Sequence, residues 1–205
     1  SVIGNGESRR GFDLTPLKTV TTMVGCNALF RDHNLEYVVA CDRHMCQEAA
    51  NTVGKNTTIY TRDKWYQSFA YWPNVKCLPD LPYEGKERAD EPFHWGTGPY
   101  AGLVATMFKP KAIFMIGFDL YGLPNKGVNN VYKNTTGYDY IKSAVDPSYW
   151  IHQFNKLFEH TDCRWIVVNS KDWKMPESWA KNKNVFQESY EGLAKWCNKQ
   201  LTNSK

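Results

Sequence analysis

Polar residues follow the first strand-like segment of this chain at a spacing that suits binding of a small anionic ligand. The turn Gly4-Asn5-Gly6 comes after two β-branched residues and leads to Ser8. Glycine lets the backbone approach a ligand closely, the Asn5 amide can donate and accept hydrogen bonds, and Ser8 can cap the next turn. The pattern predicts a nucleotide-binding turn at the end of a strand, with an ordinary strand-to-loop turn as the alternative.

Later segments repeat the arrangement of a polar residue beside a strand or helix end. These residues are Asn27, Asp42, Thr97 and Gly98. Asp42 can hold a ribose hydroxyl or cap a helix, and Thr97 can cap its own helix or contact a phosphate at the free N–H groups there. Because the carboxyl ends of parallel strands share one edge of a sheet, we predict that these groups face one ligand.

Three residues are candidates for acid–base chemistry: His94, Asp119 and His152. Asp119 follows the apolar run 112–117, with Tyr121 two residues later, and a carboxylate at the end of a buried strand is costly unless it is paired or functional. We predict a functional role for it. Histidine is suited to proton transfer near neutral pH, but a histidine in a loop or on a helix can equally be structural. The sequence contains no P-loop, no Ser-His-Asp order and no metal-ligand spacing.

The apolar runs predict the elements that position these residues. Runs 112–117 and 165–168 are continuously apolar, which is typical of strands buried on both faces of a parallel sheet. The predicted strands cover 1–4, 21–26, 37–41, 58–60, 75–78, 112–117 and 165–168. The predicted helices cover 43–52, 63–70, 99–108, 147–160 and 187–201. We predict an α/β fold: a single Rossmann-like domain over residues 1–205, with a mostly parallel sheet flanked by helices.

Two long polar segments, 79–98 and 120–146, interrupt this alternation. Loops of this length inside a compact domain are usually functional. Both flank the helix and strand between residues 99 and 117, so we predict that they form lids over one site.

Composition narrows the class of protein. The net charge is +4 and the few adjacent Lys and Arg residues form no long basic run, which disfavours nucleic acid as a partner. The six cysteines have no Cys-x-x-Cys spacing, which favours reduced thiols and a cytoplasmic location. No apolar run approaches the roughly 18 residues of a membrane span. We predict a cytoplasmic protein that binds neither nucleic acid nor membrane.

Four motifs, in this order, resemble those of the bacterial sialyltransferases that decorate lipo-oligosaccharides, a Rossmann-like glycosyltransferase family. They are Gly4-Asn5-Gly6-Glu7-Ser8, Cys26-Asn27, Thr97-Gly98 and Gly117-Phe118-Asp119-Leu120-Tyr121. The resemblance implies that Asn5, Asn27 and Thr97 contact the cytidine nucleotide of a CMP-sugar donor. It also implies that Tyr121 and Tyr132 donate hydrogen bonds to the departing phosphate, so that transfer needs neither a metal nor a further cofactor.

The family carries its catalytic base as a histidine before the helix at 147–160, where this chain has no histidine. His94, Asp119 and His152 are therefore the candidates for that role. The opening also resembles archaeal-type hydroxymethyl-dihydropterin pyrophosphokinases, which would imply Mg²⁺ and carboxylate ligands such as Asp42 and Asp119.

The chain as a whole resembles uncharacterised proteins of tailed phages of marine cyanobacteria, which implies expression in the cytoplasm of an infected cell. A non-catalytic nucleotide-binding protein, a homo-oligomer and a virion component remain open alternatives.

Overall fold

The computed structural model describes residues 1–83, 95–124, 127–139 and 143–203. Its strands are β1 (Val2–Ile3), β2 (Val24–Cys26), β3 (Tyr37–Val39), β4 (Thr58–Thr61), β5 (Val75–Cys77), β6 (Ala112–Ile116), β7 (Arg164–Val168) and β8 (Val185–Glu188). Its α-helices are α1 (Thr15–Val20), α2 (Arg43–Thr52), α3 (Asp63–Tyr66), α4 (Thr97–Thr106), α5 (Ser148–Glu159), α6 (Glu177–Ala180) and α7 (Tyr190–Asn203). Short 3-10 segments cover Glu7–Arg9, Asn27–Arg31 and Gln67–Phe69.

All eight strands form one parallel sheet in the order β5-β4-β3-β2-β1-β6-β7-β8. The chain starts at the centre with β1, moves outward to β5, and then returns to the other side of β1 with β6. Ile3 consequently lies between Gly25 of β2 and Ile116 of β6. In open α/β sheets, ligands bind outside the carboxyl ends of the strands where the order reverses in this way.

Helices cover the sheet on both faces. Leu17 of α1, Met45 of α2 and Leu193 of α7 pack in the core of one face, and Val104 of α4 and Phe154 of α5 pack in the core of the other. Successive residues of β6 alternate between these two cores, because strand side chains point to opposite faces. This burial on both sides explains the continuously apolar strand sequences and confirms the predicted α/β Rossmann-like fold.

The predicted elements differ from the structure mainly near the carboxyl end. The helix predicted over 187–201 begins at Tyr190, because Val185–Glu188 pairs in parallel with β7 as an edge strand. Only Val185 of that strand is buried, so it leaves no apolar run in the sequence. The short helices α1 and α6 were not predicted either, and α4 begins at Thr97, inside the segment predicted as a loop.

Within the described ranges, none of the helices is both long enough and apolar enough to cross a lipid bilayer. All six cysteines are unpaired. Cys26 and Cys41 lie fully buried at the ends of β2 and β3, and burial raises the pKa of both thiols, that of Cys41 to about 11. They contribute to the core as small apolar side chains.

Candidate functional site

A cleft of about 340 Å³ lies outside the carboxyl ends of the central strands. Its walls come from the segments after β1, β2, β3, β4 and β6, from the N-terminus of α4, and from parts of the loop over 128–145. The volume is at the small end of the range for ligand sites. Because β1 pairs with both β2 and β6, the cleft is placed where the strand order reverses.

The two glycines of the first turn pack against the end of β6. The N–H groups of Gly4 and Gly6 donate to the carbonyls of Ile116 and Gly117 at 2.7 and 2.8 Å, which extends the strand pairing beyond β1. A Cβ on Gly4 would lie 2.5 Å from the Gly117 oxygen, and one on Gly6 would overlap the Asp119 carboxylate. These glycines therefore allow two pieces of protein to meet, and both also line the cleft.

The side-chain amide of Asn5, between these glycines, differs at its two ends: the nitrogen is hydrogen-bonded and the oxygen is not, within the described residues. Its Nδ2 donates to the Cys26 carbonyl at 3.2 Å and lies 3.5 Å from the Tyr138 hydroxyl oxygen. Its Oδ1 is fully buried and accepts no hydrogen bond in the described part of the chain. A buried acceptor without a donor is costly, and a ligand hydroxyl or amino group would satisfy it.

Asn27 and Thr97 meet across the cleft wall. The Thr97 hydroxyl donates to Asn27 Oδ1 at 3.1 Å, so the Asn27 amide nitrogen keeps its two hydrogens for another acceptor. Asn27 adopts a φ of 46°, a left-handed conformation that is uncommon outside glycine and often marks functional sites. Thr97 and Gly98 are the first residues of α4, where N–H groups have no carbonyl partner inside the helix. This corner of the cleft presents hydrogen-bond donors.

Asp42 occupies the N-cap position of α2, but its side chain makes no capping hydrogen bond. It is exposed and lines the cleft, so the carboxylate is available to a ligand hydroxyl. Two cleft residues near it were missed by sequence reasoning. His44 lies in the first turn of α2, and Arg62 follows β4 with its Nη2 donating to the Trp95 carbonyl at 2.7 Å. The sequence feature that could have identified Arg62 is its position directly after a predicted strand.

Asp119 is held by protein groups on every side. Oδ2 accepts from the Ser8 backbone N–H at 2.8 Å, and Oδ1 accepts from the Ser8 hydroxyl and from Asn169 Nδ2, the latter at 3.2 Å. The Ser8 hydroxyl also lies 2.8 Å from the Tyr190 hydroxyl. Both carboxylate oxygens are thus engaged. Asp119 therefore ties the turn after β1 to the segment after β7, and its predicted role as a base stays a prediction.

Ser8, predicted as part of the nucleotide-binding turn, is not among the residues that line the cleft. The Ser8 hydroxyl lies in the 3-10 turn Glu7–Arg9 and makes hydrogen bonds with the Asp119 carboxylate and the Tyr190 hydroxyl. The prediction located the turn correctly, and the tertiary contact changes the use of this side chain.

Tyr121 reaches the cleft through a strained turn. The Tyr121 N–H donates to the Asp119 carbonyl at 2.7 Å, and Leu120 between them has a φ of 64°. This is the rare form of the γ-turn, and a bulky residue in it is a conformational outlier. The Tyr121 ring is 39% exposed at the mouth of the cleft, with its centroid 6.4 Å from that of Trp173.

Tyr132, predicted beside the phosphate, turns away from the cleft. Its hydroxyl donates to Asp32 Oδ2 at 2.6 Å and accepts from Arg9 at 3.2 Å, and burial raises the pKa of this phenol. Another tyrosine of the same segment, Tyr138, lines the cleft beside Asn5, and burial raises its pKa to about 12. Sequence reasoning missed Tyr138 because the loop 127–139 contains no periodic pattern that assigns side chains to a face.

Of the two histidines predicted as a base, only His152 lies in the described part of the chain, and it does not line the cleft. His94 lies outside the described residues. His152 is on α5, where Trp150 and Phe154 line the cleft. Two residues of helix rotate a side chain by about 200° from either neighbour, so His152 faces another direction.

No group of three or more His, Cys, Asp or Glu residues within the ranges described is arranged to hold a metal ion. The charged side chains that line the cleft are those of Asp42, Asp119 and Arg62. The imidazole of His44 also lines it. Asp119 is fully engaged, so Asp42 is the carboxylate that a ligand in the cleft would meet, and Arg62 is the cation in the cleft lining.

The site is therefore a small cleft at the reversal point of a parallel sheet, in which amide, hydroxyl, imidazole and guanidinium groups lie among apolar side chains. No protein-family model matches the sequence, and no significant match was found among curated proteins or solved structures.

Proposed function

We propose that the protein binds a nucleotide-sugar donor, of the CMP-sugar kind, in this cleft and transfers the sugar to a hydroxyl acceptor without a metal. The observation that supports this most is the meeting of Asn5, Asn27 and Thr97, from three separate segments, around one cleft. The uncommitted Asn5 Oδ1 and Asn27 amide nitrogen offer one acceptor and one donor from two residues that line the same cleft. Such a pair suits the hydrogen-bonding edge of a nucleobase or a ribose.

The rest of the cleft suits the phosphate. Transfer breaks the bond between the anomeric carbon and a phosphate oxygen, so negative charge grows on the leaving group. Arg62, the hydroxyls of Tyr121 and Tyr138, and the N-terminus of α4 can stabilise that charge. The N-terminus of α4 and the buried Tyr138 are fixed in place by the fold, which is the condition for an effective electrostatic contribution.

Magnesium-dependent pyrophosphoryl transfer has less support from the cleft. It needs carboxylates that can bind the cation, and Asp119 would have to release Ser8 and Asn169 to serve. Asp42 alone is uncommitted. We therefore propose that amide and hydroxyl groups of the cleft bind the donor.

A thermal-shift titration tests the proposal. CMP, CDP, UMP, UDP, GDP, AMP and ATP are each added with and without Mg²⁺. A ligand at 100 times its Kd stabilises the native state by about 2.7 kcal/mol, which a melting curve resolves. We expect CMP to raise the melting temperature without Mg²⁺. Stabilisation only by a triphosphate with Mg²⁺ would favour pyrophosphoryl transfer, and no shift with any nucleotide would refute the proposal.

A matched pair of variants localises the binding. Asn27→Gly removes the amide and tolerates the φ of 46°, so the fold should survive while the CMP shift is lost. Asn134→Gly makes the same change at a φ of 64° on an exposed turn outside the cleft, and it should keep the shift. Equal shifts in both variants would place the nucleotide elsewhere.

A further inference from the structure

His44 stands in the wall between two concavities of the protein. One is the cleft, and the other is a second groove on the far side of the turn at 132–137. The second groove includes Arg31, Asp32, Gln47, Glu48, Thr135 and Thr136 in its walls. His44 and Gly137 line both concavities, so a group bound in either one can reach the imidazole.

The turn at Gly137 lies directly against the His44 ring. Gly137 has a φ of 81°, and a Cβ there would come within 3.1 Å of His44 Nε2 and Cδ2 and within 3.0 Å of Met45 Cε. Arg31 fixes this turn by donating to Thr135 Oγ1 at 2.9 Å and to the Thr136 carbonyl at 2.8 Å. One side of the His44 ring therefore packs against a turn that Arg31 holds in place.

The His44 side chain is otherwise uncommitted. It is exposed, and neither ring nitrogen hydrogen-bonds to another residue in the part of the chain that the structure describes. The remaining described histidines, His33, His152 and His160, line neither concavity. An imidazole with two available nitrogens at the edge of a ligand cleft is suited to accept a proton.

We propose that His44 is the catalytic base of the transfer and that the acceptor approaches through the second groove. This inference rests on the proposed function. In the step, the acceptor hydroxyl proton passes to a His44 nitrogen while its oxygen bonds to the anomeric carbon. The bond from that carbon to the phosphate oxygen breaks, and the electron pair leaves with the nucleoside monophosphate.

The charges of the second groove indicate the kind of acceptor. Arg31 forms a bidentate ion pair with Glu48, both N–O distances being 2.6 Å, and Asp32 accepts from the Tyr132 hydroxyl. Arg31 and Glu48 neutralise each other, and Asp32 is an exposed carboxylate, so among the described residues the groove has no unpaired cation for an anionic acceptor. It also offers the Gln47 amide and threonine hydroxyls. It fits an uncharged, hydroxyl-rich acceptor such as a saccharide.

Hydrolysis of CMP-N-acetylneuraminate, with water as the acceptor, tests the role of His44. We expect His44→Ala to lower kcat by about 100-fold or more while the Kd for CMP stays within about twofold. Added imidazole should restore part of the rate to His44→Ala, which a purely structural role would not produce. His44→Gln fills the same space without a base, so it should be equally slow and not rescued. His160→Gln, an exposed histidine at the end of α5, is the matched control and should keep the wild-type rate.

The outcomes separate this inference from the proposed function. If the wild-type protein binds CMP and hydrolyses the donor, and His44→Ala does so at the same rate, the role of His44 is refuted and the function stands. If His44→Ala is slow but imidazole never restores it, His44 is not the base. If the wild-type protein binds no nucleotide, the proposed function fails, and binding without hydrolysis removes the transfer step and the base together.

Discussion

Two sides of the sheet edge around the cleft use the same types of residue in opposite ways. The closed side consists of Ser8, Asp119, Asn169 and Tyr190, whose polar groups hydrogen-bond to one another. The open side consists of Asn27, Asp42, His44 and Thr97, whose polar groups keep unpaired hydrogen-bonding capacity toward the cleft. A carboxylate follows a central strand on each side, Asp119 after β6 and Asp42 after β3.

The closed and open sides differ in the hydrogen-bond partners of their polar groups and not in their residue types. Asp119 is buried, so its charge must be satisfied by the protein, and it ties the ends of β1, β6 and β7 together. Asp42 is exposed, so water satisfies it until a ligand arrives. We infer that the closed side holds the cleft in shape and the open side binds the ligand. Each side then has its own response to mutation.

The largest effect is expected from Gly6→Ala on the closed side. The new Cβ would come within 2.6 Å of both Asp119 oxygens, and the carboxylate cannot move without losing its donors. We expect a loss of about 3 kcal/mol in the free energy of unfolding, measured by urea denaturation. Gly54→Ala is the control, because a Cβ there has no heavy atom within 4 Å, and it should cost nothing. Equal stability of the two variants would mean that the closed side is not tightly packed.

Asp119→Asn and Asp42→Asn make the same change on the two sides. At position 119 an acceptor oxygen becomes an amide that faces the Ser8 or Asn169 donors, so we expect a loss of about 2 kcal/mol. At position 42 no capping bond is lost, and the stability should change by less than about 0.5 kcal/mol. Urea denaturation compares them. The division into two sides would be wrong if Asp42→Asn were the more damaging change.

The fold could be predicted where burial leaves a trace in the sequence. Strand β6 and residues 165–168 of β7 are apolar because both of their faces are covered, and both strands were predicted. Strand β8 buries only Val185, so its sequence resembles the start of a helix. An edge strand of this kind is defined by pairing with β7, and pairing with a distant segment leaves no local pattern.

The same limit applies to the site. Asn5, Asn27 and Thr97 were located because a residue after a strand or before a helix has a fixed place at the sheet edge. The hydrogen bonds of Asp119 could not be predicted, since its partner Ser8 lies 111 residues away in the chain. His44 was missed because only the packing of Gly137 on its ring shows that it faces the cleft.

Thr97→Val sharpens the comparison on the open side. Valine keeps the shape and β-branching of threonine but leaves Asn27 Oδ1 without its donor, so the amide is free to rotate. We expect CMP to bind about tenfold more weakly, which is about 1.4 kcal/mol, with little change in stability. Thr106→Val, at the other end of the same helix, removes a hydroxyl that bonds only to the Leu103 carbonyl and should leave the Kd unchanged. Calorimetry measures both affinities, and identical values would remove Thr97 from the ligand site.

The smallest expected effect is a loss of stability at alkaline pH, compared between one tyrosine of the closed side and one tyrosine of the cleft. Burial raises the pKa of Tyr190, on the closed side, and of Tyr138, beside Asn5 in the cleft, to about 12 from the ordinary value of 10.0. A pKa raised in the folded state means that the native protein keeps the proton longer than the unfolded chain. The stabilising contribution is therefore complete below pH 10 and is lost as the pH rises toward 12, by at most about 1.4 kcal/mol per unit for each tyrosine.

Tyr190→Phe and Tyr138→Phe should each flatten this decline in the free energy of unfolding. A saturating nucleotide distinguishes them, because it covers Tyr138 in the cleft and leaves the contact between Tyr190 and Ser8 as it was. Phenolate absorbance of the native protein should then show a delayed titration in Tyr190→Phe, where Tyr138 remains, and no delay in Tyr138→Phe. A delay in both variants would mean that the ligand also rearranges the closed side, and the cleft would then respond as one unit.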